Sequence, residues 1–340
     1  MTQSIKFAIL IPDRHNPGVM DQALGARLAA LQSGLGIPII AEEVNFRPED
    51  SVDLERRLAR LRGKISGVIG ATNVLESTLL GELAEDLRLL CFVANNNPSV
   101  WNGKRHIFHI GIPSAQTAEA VALGLARRGI RRVELVHDQT EFQRRAAASA
   151  LAALQRSGVE ARSQTDEPAG ETEKKSDWAA ELFYLLYSDE EKALAVARAI
   201  RRQTGETPLL FGRSLLRRSF ISALGEDTKE AWFVDLLPRT GSRSPIQDEL
   251  IGALAKAGAQ IPTANHCFGW DAMTLGGMAL AQAKGDCESA IDYLESGVVL
   301  EGVAGNYRFD ATNHNGRSDI GPTVLSRWRK DHIEEIVAKG

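Results

Sequence analysis

The sequence predicts an α/β protein built from parallel sheets that are covered by helices on both faces. Three observations predict this class. Short apolar segments alternate with amphipathic helical segments along the chain, which is the pattern of a repeated β-α unit. The apolar segments lack polar alternation, as expected of strands buried on both sheet faces. The length of 340 residues is about twice that of a usual domain, so two lobes are expected.

The first half of the chain reads as a regular β-α repeat. Its predicted strands are residues 6–12, 37–44, 66–70 and 89–94. Apolar residues spaced three and four apart predict helices at 20–31, 52–61 and 75–87. An extended passage at 106–113 then leads to a helix that begins at Ser114. Such a passage between two β-α systems indicates a crossing from one lobe to the other.

The second half repeats the design. Its predicted strands are residues 132–137, 158–162, 181–187, 207–212 and 231–236, and its predicted helices are 142–155, 192–202, 246–257, 270–284 and 288–296. Periodicity alone allows strand or helix at 181–187; strand is favoured because Ser188 and Asp189 can then start the next helix. The polar residues 166–176 predict a surface loop, 238–245 a second crossing, and 305–310 and 323–328 two strands around a polar loop.

Composition and charge exclude several classes of function. The formal charge of −4 and the pI near 6.0 give no reason to expect nucleic acid or an anionic membrane surface as a partner. No apolar run approaches the roughly 18 residues of a transmembrane helix, so no stable membrane insertion is expected. The N-terminus enters the first predicted strand without a hydrophobic leader segment, which fits a cytosolic protein or a processed mature form.

The three cysteines predict neither a disulfide scaffold nor a metal site. Cys91, Cys267 and Cys287 show no CxxC pattern and no metal-ligand spacing. Cys91 lies within a predicted core strand, where it would act as a small hydrophobic residue. No cofactor and no metal ion are therefore expected.

The motifs of nucleotide enzymes and hydrolases are missing. Residues 12–18 read Pro-Asp-Arg-His-Asn-Pro-Gly in place of G-x-G-x-x-G, and neither a P-loop nor a nucleophile elbow occurs. The histidines at 106, 109, 137, 266, 314 and 332 lie on separate predicted elements. His15 lies in the first-strand loop, where a hydrogen bond to a ligand is expected rather than acid–base chemistry. Binding without catalysis is the favoured interpretation, and no catalytic residue is predicted.

Polar loops follow two successive strands of the first half. Thr72 and Asn73 follow strand 66–70, and Asn95, Asn96 and Asn97 follow strand 89–94. Open α/β sheets bind ligands at the carboxyl ends of their strands, so these loops are candidate ligand loops. The alternative is that the asparagines only build a turn before Pro98, since asparagine favours turns.

Three segments, taken in order, resemble a known family. They are Val-Ala-Asn-Asn-Asn-Pro at 93–98 continuing through Ile-Gly-Ile-Pro-Ser-Ala-Gln at 110–116, Phe-Gly-Trp-Asp-Ala-Met at 268–273, and Gly-Val-Ala-Gly-Asn-Tyr-Arg-Phe-Asp at 302–310. The chain resembles the type I periplasmic solute-binding proteins, in the branch that contains branched-chain amino acid, amide and urea receptors of ABC transporters. At 268–273 this family usually has Tyr-Asp-Ala opening a helix.

The resemblance implies two Rossmann-like lobes with parallel sheets, joined by a three-strand hinge and closing on a small ligand in the cleft between them. The lobes would be 1–112 plus 243–305, and 113–242 plus 306–340. The implied function is that of a periplasmic receptor that binds an amino acid, an amide or a related carboxylate and delivers it to an ABC transporter permease. Two alternatives remain open: a cytosolic ligand-sensing regulator of the same fold, and a cleft enzyme, which would show turnover.

The resemblance also implies which residues contact the ligand. The family's ligand positions fall on Asp13, Arg14, His15, Thr72, Asn73, Ala94, Asn95 and Asn96 of the first lobe and on Phe142, Ser188, Asp189, Arg213 and Asp235 of the second. Structural alternatives exist, because Ser188 and Asp189 could cap a helix and Phe142 could belong to the core.

The chain departs from the family at two places. Amino-acid receptors usually have a serine and a threonine for the ligand's α-carboxylate and α-ammonium groups, whereas Asn73 or Val74 and Asn96 stand there, which argues against an α-amino acid. The region 177–187 is also shorter by a helix than is usual in the family.

Overall fold

The computed structural model describes residues 4–32, 34, 37–46, 51–70, 74–95, 97–165, 179–239, 243–259, 261–317, 323–329 and 332–336. The chain divides into two compact units. Unit 1 comprises Met1–Ile112 and Ser244–Gly321, and unit 2 comprises Pro113–Arg243 and Pro322–Gly340.

Strands and helices alternate through most of the chain. The strands are β1 (Ile5–Ile11), β2 (Ile39–Asn45), β3 (Gly67–Ile69), β4 (Leu90–Val93), β5 (Ile107–His109), β6 (Arg132–His137), β7 (Glu160–Thr165), β8 (Leu182–Leu186), β9 (Leu209–Phe211), β10 (Ala231–Asp235), β11 (Leu300–Gly302), β12 (Gly305–Tyr307), β13 (Val324–Arg329) and β14 (His332–Glu335). The helices are α1 (Pro17–Gln32), α2 (Ser51–Leu61), α3 (Val74–Leu87), α4 (Ser114–Arg127), α5 (Glu141–Arg156), α6 (Glu190–Thr204), α7 (Arg218–Leu224), α8 (Pro245–Lys256), α9 (Ala264–Gln282) and α10 (Cys287–Glu295).

Each unit is built on its own sheet. In unit 1 the described strands form a parallel sheet in the order β2-β1-β3-β4-β5, and β11 pairs with β12 in a separate hairpin. In unit 2 the order is β14-β13-β10-β9-β8-β6-β7, in which β13 and β14 are antiparallel and the other strands are parallel. The predicted α/β class with parallel sheets is therefore confirmed.

The central strands are buried because their sequences are apolar on both faces. All residues of β4, β8, β9 and β10 are buried. The buried core of unit 1 includes residues from β1, β3, β4 and α3, whereas that of unit 2 includes residues from α4, α5, β6 and β8. Each unit thus has a hydrophobic core of its own.

Several element boundaries differ from the prediction. Helix α9 begins at Ala264 instead of 270, because a capping box between Thr263 and His266 starts it earlier. Strand β7 covers Glu160–Thr165, although its mostly exposed residues lack an apolar pattern. Helix α7, the short strand β11 and the polar edge strand β14 were not predicted. The expected loop at 166–176 lies outside the described residues.

The segment after residue 305 packs with unit 1, whereas the sequence places the second lobe from 306 onward. The Tyr307 hydroxyl lies 3.0 Å from the Ile110 carbonyl oxygen, and the Phe309 ring lies 5.0 Å from that of Phe108. Residues up to Gly321 belong to unit 1, and the chain returns to unit 2 only with the segment that contains β13. The two strands predicted at 305–310 and 323–328 are present as β12 and β13, and they lie in different sheets, because β12 pairs with β11 and β13 with β10.

Candidate functional site

In unit 1 the candidate ligand loops follow the carboxyl ends of β1, β3 and β4. These strands are parallel and adjacent, so their loops emerge at the same edge of the sheet. The structure describes Asp13, Arg14 and His15 after β1 and Ala94 and Asn95 after β4. The other candidates of this unit, Thr72, Asn73 and Asn96, lie outside the described residues.

The loop after β1 is held by hydrogen bonds of its own side chains. The Asp13 carboxylate accepts the His15 main-chain N–H at 2.8 Å. Arg14 lies along the edge strand β2, where it donates to Asn45 at 2.7 Å and to Glu43 at 3.0 Å. All three predicted ligand residues are exposed. A guanidinium carries five N–H donors, so Arg14 retains capacity for further hydrogen bonds.

The asparagines after β4 build their own turn. Asn95 is buried, and its side-chain oxygen accepts the Asn97 main-chain N–H at 2.7 Å. The Asn97 side-chain oxygen accepts the Ser99 N–H at 3.2 Å and caps a short 3-10 helix, Pro98–Val100. These hydrogen bonds of Asn95 and Asn97 are those expected if the asparagines build a turn before Pro98. A ligand contact through this loop stays a prediction.

The end of β3 is held by a residue that the sequence did not single out. Gln22 of α1 is buried, and its side-chain amide donates to the Gly70 carbonyl oxygen at 2.9 Å. The hydrogen bond ties the end of β3 to the first turns of α1, which begins just after the β1 loop. No sequence signal marked Gln22, because α1 buries small residues such as Ala23 and Ala26 and leaves Leu31 exposed, which only the packing reveals.

In unit 2 the candidate residues follow the carboxyl ends of β6, β8, β9 and β10. After β6, the carboxylate of the buried Asp138 accepts the main-chain N–H of Thr140 at 2.9 Å and the Thr140 hydroxyl at 2.5 Å. Thr140 in turn caps α5 through the Gln143 N–H at 3.3 Å. The Gln143 side chain then donates to the Ser188 hydroxyl at 2.9 Å, which links the loops after β6 and β8.

The surroundings of Phe142 and Asp189 decide whether Phe142 belongs to the core and whether Asp189 caps a helix. Phe142 lies in the first turn of α5 and is 47% exposed, so the alternative that it belongs to the core is wrong. Asp189 caps α6 by accepting the Lys192 N–H at 3.0 Å, whereas Ser188 receives the Gln143 side chain instead. The helix-capping alternative therefore holds for Asp189 alone.

Arg213 supplies a positive charge at this edge of unit 2. It begins the short 3-10 helix Arg213–Leu215 after β9, is half-buried, and donates to the Thr117 hydroxyl. Its charge also reaches Tyr184: burial raises the pKa of that buried phenol to about 12, and the Arg213 cation opposes the rise.

Asp235, the last residue of β10, uses both carboxylate oxygens within unit 2. One oxygen accepts the main-chain N–H groups of Leu236 and Leu237 at 2.7 and 3.3 Å. The other accepts Arg239 at 2.6 Å and the Ser326 hydroxyl at 3.2 Å. With 2% of its surface exposed, Asp235 anchors β10 to β13 and to the following loop. A ligand contact by Asp235 stays a prediction.

The structure joins two of the segments that carry the family resemblance. Asp271 of α9 is fully buried, and its carboxylate accepts the N–H groups of Val303 and Ala304 at 2.7 and 2.9 Å and the Tyr307 hydroxyl at 2.9 Å. Burial raises the pKa of Asp271 to about 6, although these hydrogen bonds and the Arg317 cation oppose the rise. The sequence analysis pointed to both segments but predicted no role for Asp271.

Two absences hold for the described part of the chain. None of its helices combines the length and the apolar character that a bilayer-spanning helix needs. No cluster of three or more His, Cys, Asp or Glu side chains in it has the arrangement of a metal site.

Known proteins share this architecture. The leucine-binding protein LivK of Thermotoga maritima has 15% identity and a TM-score of 0.75, with 98% of each chain covered. A putative branched-chain amino acid ABC transporter of Rhodospirillum rubrum has 18% identity and a TM-score of 0.75, covering 99% of this chain and 100% of that one. LivJ of Streptococcus pneumoniae, in complex with isoleucine, has 16% identity and a TM-score of 0.74, covering 98% and 99%. At such identities the likeness establishes the type I periplasmic binding fold.

A family model decides membership. No curated protein matches the chain. The model described as periplasmic binding protein, however, matches residues 37–331, which is well over half of the sequence and includes elements of both units. The chain belongs to the periplasmic binding protein family.

Proposed function

We propose that this chain is the solute-binding receptor of an ABC transporter, acts in the periplasm, and binds a small polar ligand such as an amino acid, an amide or a related carboxylate. The observation that carries the proposal is the placement of polar candidate residues after parallel strands in both units. Periplasmic binding proteins as a class close around their ligands by hinge motion of their domains. The ligands named for two relatives, leucine and isoleucine, support the amino-acid class.

The two units offer different groups to such a ligand. Unit 1 offers the exposed side chains of Asp13, Arg14 and His15, and unit 2 offers the exposed Phe142 ring and the Arg213 cation. A few fixed polar groups beside an aromatic surface are typical of small-molecule sites. Arg213 fits a carboxylate or amide oxygen of the ligand, since a guanidinium donates to such oxygens.

Binding without chemical change is part of the proposal. A receptor returns its ligand intact, whereas a cleft enzyme converts it. Mass spectrometry of each compound after prolonged incubation with the protein distinguishes the two. Conversion that depends on protein concentration would replace the receptor proposal with an enzymatic one.

A thermal-shift screen tests the ligand class. L-leucine, L-isoleucine, L-glutamate, acetamide and urea are each added to the purified protein. A compound that binds only the folded state raises Tm in proportion to RT ln(1 + [L]/Kd), so the shift must grow with its concentration. We expect at least one of these compounds to do so. The proposal as stated is wrong if none of them shifts Tm and equilibrium dialysis detects no binding.

A further inference from the structure

The connection between β4 and β5 folds around a single buried side chain, His109. This histidine is the last residue of β5 and is fully buried. In the parallel register it lies beside Val93, the residue before the candidate ligand loop. The connection therefore leaves β4 next to His109 and returns through β5 to the same place.

The far part of the connection rests on the His109 ring. Trp101, which follows the short 3-10 helix, stacks on this ring with a centroid distance of 4.0 Å and an interplanar angle of 11°. Trp101 is 4% exposed, so nearly all of its large apolar surface is removed from water at this place. The stacking fixes the point at which the connection turns back toward β5.

The near part of the connection also meets the ring. The Asn95 main chain lies close enough to the His109 ring to favour its protonated form and so to raise its pKa. The ring Nδ1 lies 2.9 Å from the side-chain oxygen of Asn315. Gly111 leaves room for this arrangement. A Cβ atom at that position would lie 2.7 Å from His109 Nε2 and 3.1 Å from the Ala94 carbonyl oxygen.

The His109 ring is uncharged under ordinary conditions. Burial lowers its pKa to about 4, against the opposing effects of the Asn315 side chain and the Asn95 main chain. A neutral imidazole can be buried against Trp101 without the cost of desolvating a cation. The support that the ring gives to the connection is therefore constant over the pH range in which a periplasmic protein works.

We propose that His109 is a positioning residue for the ligand loop that follows β4. Its ring acts as the template on which residues 94–95 and 97–104 fold, and Gly111 is required because a Cβ atom there would clash with the ring and with the Ala94 carbonyl oxygen. That this loop contacts a ligand rests on the proposed function. That His109 orders residues 94–95 and 97–104 is independent of the proposed function.

Hydrogen–deuterium exchange of the whole chain tests the ordering. The N–H groups of Val100, Trp101, Asn102 and Lys104 donate to carbonyl oxygens within the connection, so their protection reports whether it is folded. In His109→Ala we expect these amides to exchange at least about tenfold faster, while the amides of β1 and β3 change by less than about twofold. His266→Ala is the comparison variant, because it truncates another buried histidine of unit 1, whose ring contacts Thr263 and Asp21.

The exchange results separate the possible outcomes. Faster exchange confined to 97–104 in His109→Ala, and absent in His266→Ala, supports the proposal. Unchanged exchange in the connection overturns it, and so does an equal increase throughout unit 1 in both variants, since His109 would then be an ordinary core residue. If His109→Ala does not fold, Gly111→Ala is measured instead, with the same expectation and the same contrary results.

A binding measurement tests the link to the ligand. Isothermal titration with L-leucine, L-glutamate and acetamide is run on the native protein and on both histidine variants. A compound that binds the native protein should bind His109→Ala at least about tenfold more weakly, and the loss should be smaller for His266→Ala. Equal affinity for the native protein and His109→Ala contradicts the positioning role. If none of the three binds the native protein, the proposed function loses support while the exchange result still decides the role of His109 in the loop.

Discussion

At the scale of single residues, the candidate ligand groups differ in how far the fold already uses them. The side-chain oxygens of Asn95, Asp189 and Asp235 accept hydrogen bonds that shape loops, caps and strand ends. Phe142 is different, because 47% of its surface is exposed. An exposed aromatic ring beside polar loops gives little stability to the folded chain and is available to a partner molecule.

Phe142→Ala should therefore weaken ligand binding without changing stability. We expect the affinity for the compound found in the thermal-shift screen to fall about tenfold, or about 1.4 kcal/mol, with Tm unchanged in the absence of that compound. Leu123→Ala is the control, since Leu123 is an exposed hydrophobic residue of the same unit, 38% exposed on α4. Titration calorimetry on both variants measures the difference. Equal affinities for the two variants would exclude Phe142 from the site.

The buried carboxyl group of Asp271 makes a pH-dependent contribution to stability. Its folded-state pKa of about 6 lies above the ordinary value of 3.8, so the folded state holds more protons than the unfolded state between these values. The free energy of unfolding should therefore fall as pH rises through this window, by about 3 kcal/mol from this group.

Asp271→Asn removes this titration while keeping the shape of the side chain. At pH 4 the variant should be less stable than the native protein, because its NH₂ group faces the N–H donors of Val303 or Ala304. The stability difference between the two proteins should shrink as pH rises to 6. Urea unfolding at several pH values measures it, and a difference that is constant from pH 4 to pH 7 would contradict the raised pKa.

At the scale of secondary-structure elements, the packing of α1 against α9 depends on two glycines. A Cβ atom on Gly25 of α1 would lie 2.1 Å from the His266 carbonyl oxygen, and one on Gly269 of α9 would lie 1.9 Å from that of Gln22. Both distances are far below van der Waals contact, so any side chain here forces the helices apart. Helix α1 starts directly after the β1 loop, and its position therefore affects where Asp13, Arg14 and His15 lie.

Gly269→Ala should destabilise unit 1 strongly. Overpacking of a tight helix contact costs about 3 kcal/mol, and here the obstacle is a main chain that cannot rotate away. Gly252→Ala on α8 is the control: a Cβ atom there meets nothing within 4 Å, so the better helix propensity of alanine should add up to about 1 kcal/mol. Chemical denaturation compares the two variants. A Gly269→Ala protein as stable as Gly252→Ala would show that the helices do not lie this close.

At the scale of the whole molecule, the last described strands belong to unit 2, although the long segment Ser244–Gly321 before them belongs to unit 1. Strand β13 pairs with β10, and Leu325 and Ser326 are buried against unit 2. The C-terminal segment therefore completes a sheet whose other strands lie more than 80 residues earlier, since β10 ends at Asp235.

Removal of residues 323–340 should destabilise unit 2 selectively. β10 would lose its neighbour on one side, and Asp235 would lose the Ser326 hydroxyl. We expect hydrogen exchange to accelerate in β8, β9 and β10 while β1 and β3 of unit 1 stay protected. Leu325→Ala, a milder change of the same strand, should cost unit 2 about 2–4 kcal/mol. An equal loss of protection in both units would show that they unfold as one.

The sequence by itself determined the class of fold, the order of most elements and the family. Strand β6 was predicted with its observed bounds, and β1, β4 and β10 to within two residues, because a short apolar segment between turn residues is a local signal. The candidate ligand loops could be located for the same reason: they follow strands whose ends the sequence marks with glycine, asparagine and proline.

Only the tertiary structure decided which polar groups are already engaged and which residues meet across the sequence. Asp271 meets the main chain of Val303, 32 residues away, and His109 meets Asn315, 206 residues away. The protonation of both groups follows from burial, which depends on neighbours that no local pattern specifies. The exposure of Phe142 and the glycine contact between α1 and α9 have the same origin, because they are properties of packed surfaces and local sequence encodes only the elements that are packed.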